Sequence, residues 1–184
     1  MTRFFTADTH FGHDNIIAYD CRPLPTADEM DELLIKNWNA VVGKADHVYH
    51  CGDFAWRGSK FAGEIKQRLN GQVHLILGNH DKISKEVAKM FASVSQLKTI
   101  RIEGQKIWLS HFPLKTWVDK NGGAWNIHGH CHGRLTNPEP NAVDIGVLSW
   151  DWTPVTFQEI QRHLIGRKYA WAEQQRKKYD FQRA

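Results

Sequence analysis

Five short groups of ligand-type residues recur along the 184-residue chain: Asp8-x-His10, Gly52–Asp53, Gly78–Asn79–His80–Asp81, Ser110–His111 and Gly129–His130–Cys131–His132. Two carboxylates, one amide oxygen and four imidazoles make a mixed oxygen and nitrogen donor set. Such a set suits Mn, Fe, Co, Ni or Zn and needs no thiolate. Two divalent cations about 3.5–4 Å apart can share one carboxylate and one hydroxide, clamping the attacking and departing oxygens of an in-line displacement. After the carboxylates and the hydroxide are counted, the pair keeps a positive charge that a phosphate would neutralise. Any one group alone is weak, because Gly–Asp is a common turn and a lone histidine is ordinary. Five in order are not.

Each group closes an apolar, strand-like run: Arg3–Ala7, His47–Cys51, Val73–Leu77, Lys106–Ser110 and Trp125–His128. In α/β folds the loops after strands converge, and sites are built there. Strand-like alternation in Asp8-x-His10 and His130-x-His132 would send both members of a pair to one side and Cys131 to the other. Between these runs, Thr26 followed by Glu29 is a capping box opening a helix with Met30, Leu33, Leu34, Trp38 and Val41 on its buried face. Phe61, Ile65 and Leu69 mark a second helix, Lys85–Phe91 a short third, and Phe157, Ile160 and Leu164 a last one with Gly166 as its expected break. Leu97–Ile102 and Lys106–Ser110 flank Glu103–Gly104–Gln105 as a hairpin, and Val143–Val147 reads as a late strand. Alternating strands and helices predict a layered α/β architecture.

Composition is that of a globular protein, 41% hydrophobic and 24% charged, and the length predicts one domain over residues 1–184. Residues 167–184 carry six basic and two acidic side chains, so this basic C-terminal helix or tail holds the whole formal charge of +4. A solvated helix docked by Trp171, Tyr179 and Phe181 is the reading preferred over a nucleic-acid contact. Three cysteines, Cys21, Cys51 and Cys131, give no disulfide framework. Neither a signal-like apolar segment nor a membrane-length run is present, so a cytoplasmic protein without an obligate protein partner is expected.

Further residues are candidates for substrate contact. His13 follows the first group closely enough to reach a phosphate oxygen or the leaving group. Arg22 and Arg134 could pair two phosphate oxygens, a surface salt bridge being the preferred reading for each. Among eight tryptophans, most of which packing explains, Trp117 is the best candidate for a substrate wall.

In order and spacing, the five groups resemble the D-x-H, G-D, G-N-H-[DE], H and G-H-x-H pattern of the calcineurin-like metallophosphoesterase superfamily, closest to its small bacterial and phage phosphoesterases. Thr6–Ile16, Cys21–Arg22–Pro23, Ser110–Leu114 and Asn141–Gly146 share that flavour. The resemblance implies a sandwich of two mixed β-sheets flanked by helices, with the site at one edge. It implies that Asp8, His10, Asp53 and His132 hold one divalent transition metal, and Asp53, Asn79, His111 and His130 the other, with Asp53 bridging. It gives His80 the role of contacting the phosphate and protonating the leaving oxygen. The implied reaction is hydrolysis of a phosphate ester by a metal-bridging hydroxide, a phosphodiester being favoured and a nucleotide a candidate. A nuclease acting on RNA or DNA and a non-catalytic scaffold on the same fold are the alternatives. One position departs from the pattern: Trp56 stands where many relatives carry an Asp or His that orients the catalytic histidine. The extended G-D-x-x-D-R-G signature of the protein Ser/Thr phosphatases is absent at Gly52–Trp56.

Overall fold

Phe4 and Phe5 point to opposite faces of the first strand, β1 (Arg3–Thr6), and both are buried, so this strand must be covered on both sides. In the computed structural model, which describes residues 1–167, β1 pairs in parallel with β2 (His47–His50). Parallel to β2 runs β3 (Gln72–Ile76), and parallel to that β4 (Ser93–Ser95). On its other side β1 pairs antiparallel with β9 (Val155–Thr156), giving the order β4-β3-β2-β1-β9. A second sheet has the order β5-β6-β7-β8. Its hairpin, β5 (Leu97–Ile102) with β6 (Gln105–Ser110), is antiparallel; β7 (Trp125–His128) and β8 (Ala142–Asp144) continue in parallel. Both sheets are mixed, as the resemblance implies.

Four helices occupy the segments between strands of the first sheet: α1 (Asp14–Tyr19), α2 (Ala27–Val41), α3 (Ser59–Arg68) and α4 (Lys85–Ala88). Thr26 caps α2 by accepting from the Glu29 N–H at 3.2 Å. Met30, Leu34 and Trp38 recur at i, i+4 and i+8 and pack with Ile65 against Phe4, Val48, Val73 and Leu75 of the sheet. Each such side chain contributes about 1.5–3 kcal/mol on burial. Val41, expected on this face, is instead 42% exposed at the last helical position, and Val42 enters the core after it. A second core lies between the sheets, where Phe5, Tyr49, Cys51 and Ile76 meet Ile107, Leu109, Ile127 and Val143.

The last helix, α5, covers 157–167 among the described residues and sends Phe157, Ile160 and Leu164 into this inter-sheet core. It runs through Gly166 without the expected break. The basic segment beyond 167, with Trp171, Tyr179 and Phe181, lies outside the described residues. Among those described, no helix is long and apolar enough to cross a membrane.

The strand order matters for the site. β1, β2 and β3 run side by side in parallel, as do β6 and β7, so loops 7–13, 51–58 and 77–84 leave one edge of the first sheet together. This is the edge where open α/β sheets build their sites.

Candidate metal centre

Loop 7–13 is fastened to loop 51–58: the N–H groups of Asp8 and His10 donate to the carbonyls of Gly52 and Asp53, both at 3.0 Å. Loop 77–84 is fastened to the same place by Asp81. Its carboxylate accepts from the backbone N–H groups of Asp53 at 2.9 Å, Phe54 at 2.8 Å and Gly78 at 2.8 Å. Backbones approach so closely here that a Cβ at Gly78 would lie 2.2 Å from Asp53 Oδ1. Asp81, adjacent in sequence to His80, therefore organises the loops instead of holding that ring.

Two groups of donors result. One atom each from Asp8, His10 and His132 lie within 4.8 Å of one another, as do atoms from Asp53, His111 and His130. Asn79 joins the second group, its Oδ1 being 2.9 Å from His111 Nε2. Asp53 Oδ2 stands 3.5 Å from His10 Nε2 and 3.4 Å from His111 Nε2, so one carboxylate faces both groups. All seven residues named from the sequence as ligands come together. Asp8 and His10 serve one group, as their spacing suggested, but His130 and His132 do not behave as alternating strand residues. His130 and His132 have φ of 71° and 49°, in a turn, and they diverge, one to each group, while Cys131 is half-buried between them.

The donor chemistry fits cations. His10 Nε2 and His132 Nε2 face each other at 3.4 Å, and His111 Nε2 and His130 Nδ1 at 3.2 Å. Opposed imidazole nitrogens need a proton or a cation between them. Two of these rings have the other nitrogen occupied: His111 Nδ1 bonds the Cys51 carbonyl at 2.9 Å, and His132 Nδ1 meets Asp20 Oδ2 at 2.6 Å. That leaves Nε2 of each aimed at the centre. Burial pushes His10 down to about 2, so it is a neutral imidazole, the form that binds metal. Burial also pushes the Asp8 carboxyl up to about 7, a cost that an adjacent cation reverses. At Asp53 burial acts in the same upward sense but is outweighed by the hydrogen bond and charge of His111, with His10 and the His80 N–H.

His80 is half-buried beside the centre, and its N–H donates to Asp53 Oδ1 at 3.0 Å. Among the described residues no side chain hydrogen-bonds its ring; the rings of Trp56 at 4.9 Å and His10 at 5.7 Å flank it. A cavity of about 270 Å³ opens here, lined by metal-group residues together with His80, His13, Asn15, Ile16, Tyr19 and Trp56. His13 thus reaches the rim, as its spacing suggested, and also caps α1 by accepting from the Ile16 N–H at 3.1 Å.

Three candidates do not line this cavity. Arg22 is buried, and its guanidinium is consumed by Asp20 at 3.0 Å and by the carbonyls of Asp8 and Thr9 at 3.1 and 3.2 Å. It is a strut beneath loop 7–13, with no nitrogen left to clamp a phosphate. Trp117 is buried with Ala124, Ala142 and Trp108 on the outer face of the second sheet, its indole N–H donating to Ala124. It forms no wall of the cavity. Arg134 reaches Asp20 Oδ1 at 2.8 Å and the Tyr19 carbonyl at 3.1 Å. Asp20 escaped sequence reasoning altogether. It meets His132 across 112 residues, a contact with no local signal.

Comparison with known proteins agrees with this geometry. The calcineurin-like phosphoesterase family profile matches residues 1–179. An uncharacterized protein of Methanocaldococcus jannaschii is 34% identical over 165 residues, covering 85% of this chain and 88% of its own. The gene 66 protein of Mycobacterium phage L5 is 29% identical over 182 residues, covering 80% and 86%. Among solved structures, a protein of unknown function from Aquifex aeolicus superposes with a TM-score of 0.71 at 27% identity, covering 88% of this chain and 98% of its own. The chain belongs to the calcineurin-like phosphoesterase family.

Proposed function

We propose that the protein is a binuclear metal-dependent phosphoesterase, with a phosphodiester as its preferred substrate class. The observation that carries this reading is Asp53, whose one oxygen faces His10 in one donor group and His111 in the other. Asp8, His10, Asp53 and His132 would hold one divalent ion, and Asp53, Asn79, His111 and His130 the second. Bound there, the ions supply charge neutralisation for the phosphate and a lowered pKa for a water molecule, toward about 7.

The chain's own residues do the rest. Asp53 fixes the spacing of the two groups through its shared oxygen. His111 and His132 are held in one tautomer by Cys51 and Asp20, so their lone pairs need no reorientation. His80, tethered through its backbone to Asp53, carries the proton for the leaving oxygen. The cavity beside it leaves room for the departing ester group, and its lining offers no lysine or arginine among the described residues for the second charge of a monoester, which favours a diester.

A test separates metal binding from proton transfer. Protein reconstituted with Mn²⁺ is expected to hold two ions per chain by elemental analysis and to hydrolyse bis(p-nitrophenyl) phosphate faster than p-nitrophenyl phosphate. Asp53→Asn is expected to lose both ions and the activity. His80→Ala is expected to keep both ions while kcat falls by about 10²–10⁴. A wild-type protein that binds two ions but turns over neither ester would end the proposal.

A further inference from the structure

Resting on the hydrolase reading, we propose that the cavity beside His80 is a nucleoside subsite, in which Trp56 and Tyr19 stack on the base of the group that leaves.

Large exposed side chains that share one cavity at a reactive centre mark a ligand-binding surface, whereas the same side chains scattered singly would not. Trp56 is 47% exposed and Tyr19 68% exposed, and both line the cavity that opens from His10 and Asp53. The indole is exposed on a fixed frame. The Trp56 backbone N–H donates to the Phe11 carbonyl at 2.9 Å, buried Phe54 and Ala55 precede it, and Arg57 after it pairs with Asp14 and Asp28. The ring meets the His13 imidazole at 4.0 Å with a 33° tilt, and His13 is itself pinned as the cap of α1. An aromatic platform whose backbone and neighbour are already fixed loses little entropy when a flat group lands on it.

The charge of the cavity selects the chemical class. Its lining contains no lysine or arginine among the described residues. A polyphosphate, a second phosphate or an acidic peptide would find no cation beyond the metal centre itself. An aromatic, uncharged group joined to one phosphate finds a matching surface. Exposed Asn15 adds an amide that offers both a donor and an acceptor, the pairing a base edge presents. A sugar without a base would leave the indole wet, and an alkyl ester would leave Asn15 unused. A nucleoside uses both.

The experiment compares adenylyl-adenosine with two analogues, each lacking one of its two bases, on Mn²⁺-reconstituted protein. One abasic analogue is expected to show kcat/KM at least about fivefold below the parent, the lower limit of base stacking on an aromatic ring. In Trp56→Ala that ratio is expected to collapse toward one, whereas Trp56→Phe keeps most of it. Equal kcat/KM for the parent and both analogues in the wild-type protein overturns the subsite while leaving the hydrolase reading intact. A binding readout stands apart from turnover: AMP is expected to shift the Trp56 indole N–H resonance, identified by its loss in Trp56→Phe, and ribose 5-phosphate is not. Equal shifts from the two ligands overturn the proposal whether or not the protein hydrolyses any ester.

Discussion

At the scale of single residues, what distinguishes a ligand histidine from a packed one is the partner of its second nitrogen. His132 is the informative case. Asp20 accepts its Nδ1 proton at 2.6 Å and is fixed in turn by Arg22 and by Arg134. Asp20→Asn keeps the size of the side chain but removes the charge and one acceptor oxygen. Metal affinity at the Asp8–His10–His132 group is expected to fall about 10- to 100-fold, measured by calorimetric titration with Mn²⁺. An unchanged affinity would show that packing alone orients His132. The seven positions of the two donor groups were legible in sequence because each stands shortly after an apolar run and its type suits a metal. Asp20 was not, because it falls outside the five groups and its partner is 112 residues away. Arg22 misled for a related reason. An arginine beside a metal motif looks like a phosphate clamp, and only the fold shows that carbonyls of loop 7–13 consume its donors.

At the scale of elements, most strands match their apolar runs within a residue or two, but the late strand expected at Val143–Val147 is β8 at Ala142–Asp144, with Val147 opening a 3-10 turn. β7 falls on Trp125–His128 as expected, whereas α1, β4 and β9 were missed, being six, three and two residues long and too short to show a period. Periodicity also failed in the ligand loops, since Asp8, His10, Asp53, His130 and His132 all have positive φ. Such left-handed backbone costs about 1–3 kcal/mol per residue outside glycine, somewhat less for Asp and Asn types, and persists where neighbouring contacts dictate it. Asp81 supplies several of those contacts by binding three N–H groups from two loops. Asp81→Ala is expected to destabilise the protein by on the order of 3 kcal/mol in urea unfolding and to weaken both metal groups. A loss under 1 kcal/mol, below the usual range for a bond to a charged group, would contradict that role.

Asp31 on α2 is a second inter-element contact, and one with a pH signature. It is buried and accepts from the Gly12 N–H at 3.0 Å, and burial raises its carboxyl from 3.8 to about 6. A carboxyl raised on folding is neutral in both states below 3.8 and ionised in both above about 6. Its ionisation therefore costs stability as pH rises through that window. Asp31→Asn keeps the acceptor and cannot ionise. The variant is expected to melt above wild type at pH 7.5, with the difference shrinking as pH falls from 6 toward 4.5, by calorimetry across that range. A pH-independent difference would place the effect in packing.

For the whole molecule, the expected consequence is that folding and metal binding are linked. Both sheets, through five separate strand ends, deliver carboxylates and imidazoles to one edge, where the buried Asp8 carboxyl is pushed to about 7 and the nitrogens of His10 and His132 oppose each other at 3.4 Å. The hydrophobic layers on either side of the first sheet must hold that edge together against its own electrostatics. A cation that binds the native edge and not the unfolded chain adds about 2.7 kcal/mol per site at a hundredfold excess over its Kd. For a chain of this size each kcal/mol corresponds to about 2–4 °C in Tm. Chelation of Mn²⁺-loaded protein is therefore expected to lower Tm by about 10 °C or more, and restoring Mn²⁺ to recover it. Asp53→Asn should melt at one temperature with or without the metal, because the carboxylate common to both groups is gone. A wild-type Tm indifferent to chelation would mean that the edge is held by protons and packing alone, and the linkage argued from its burial would fall with it.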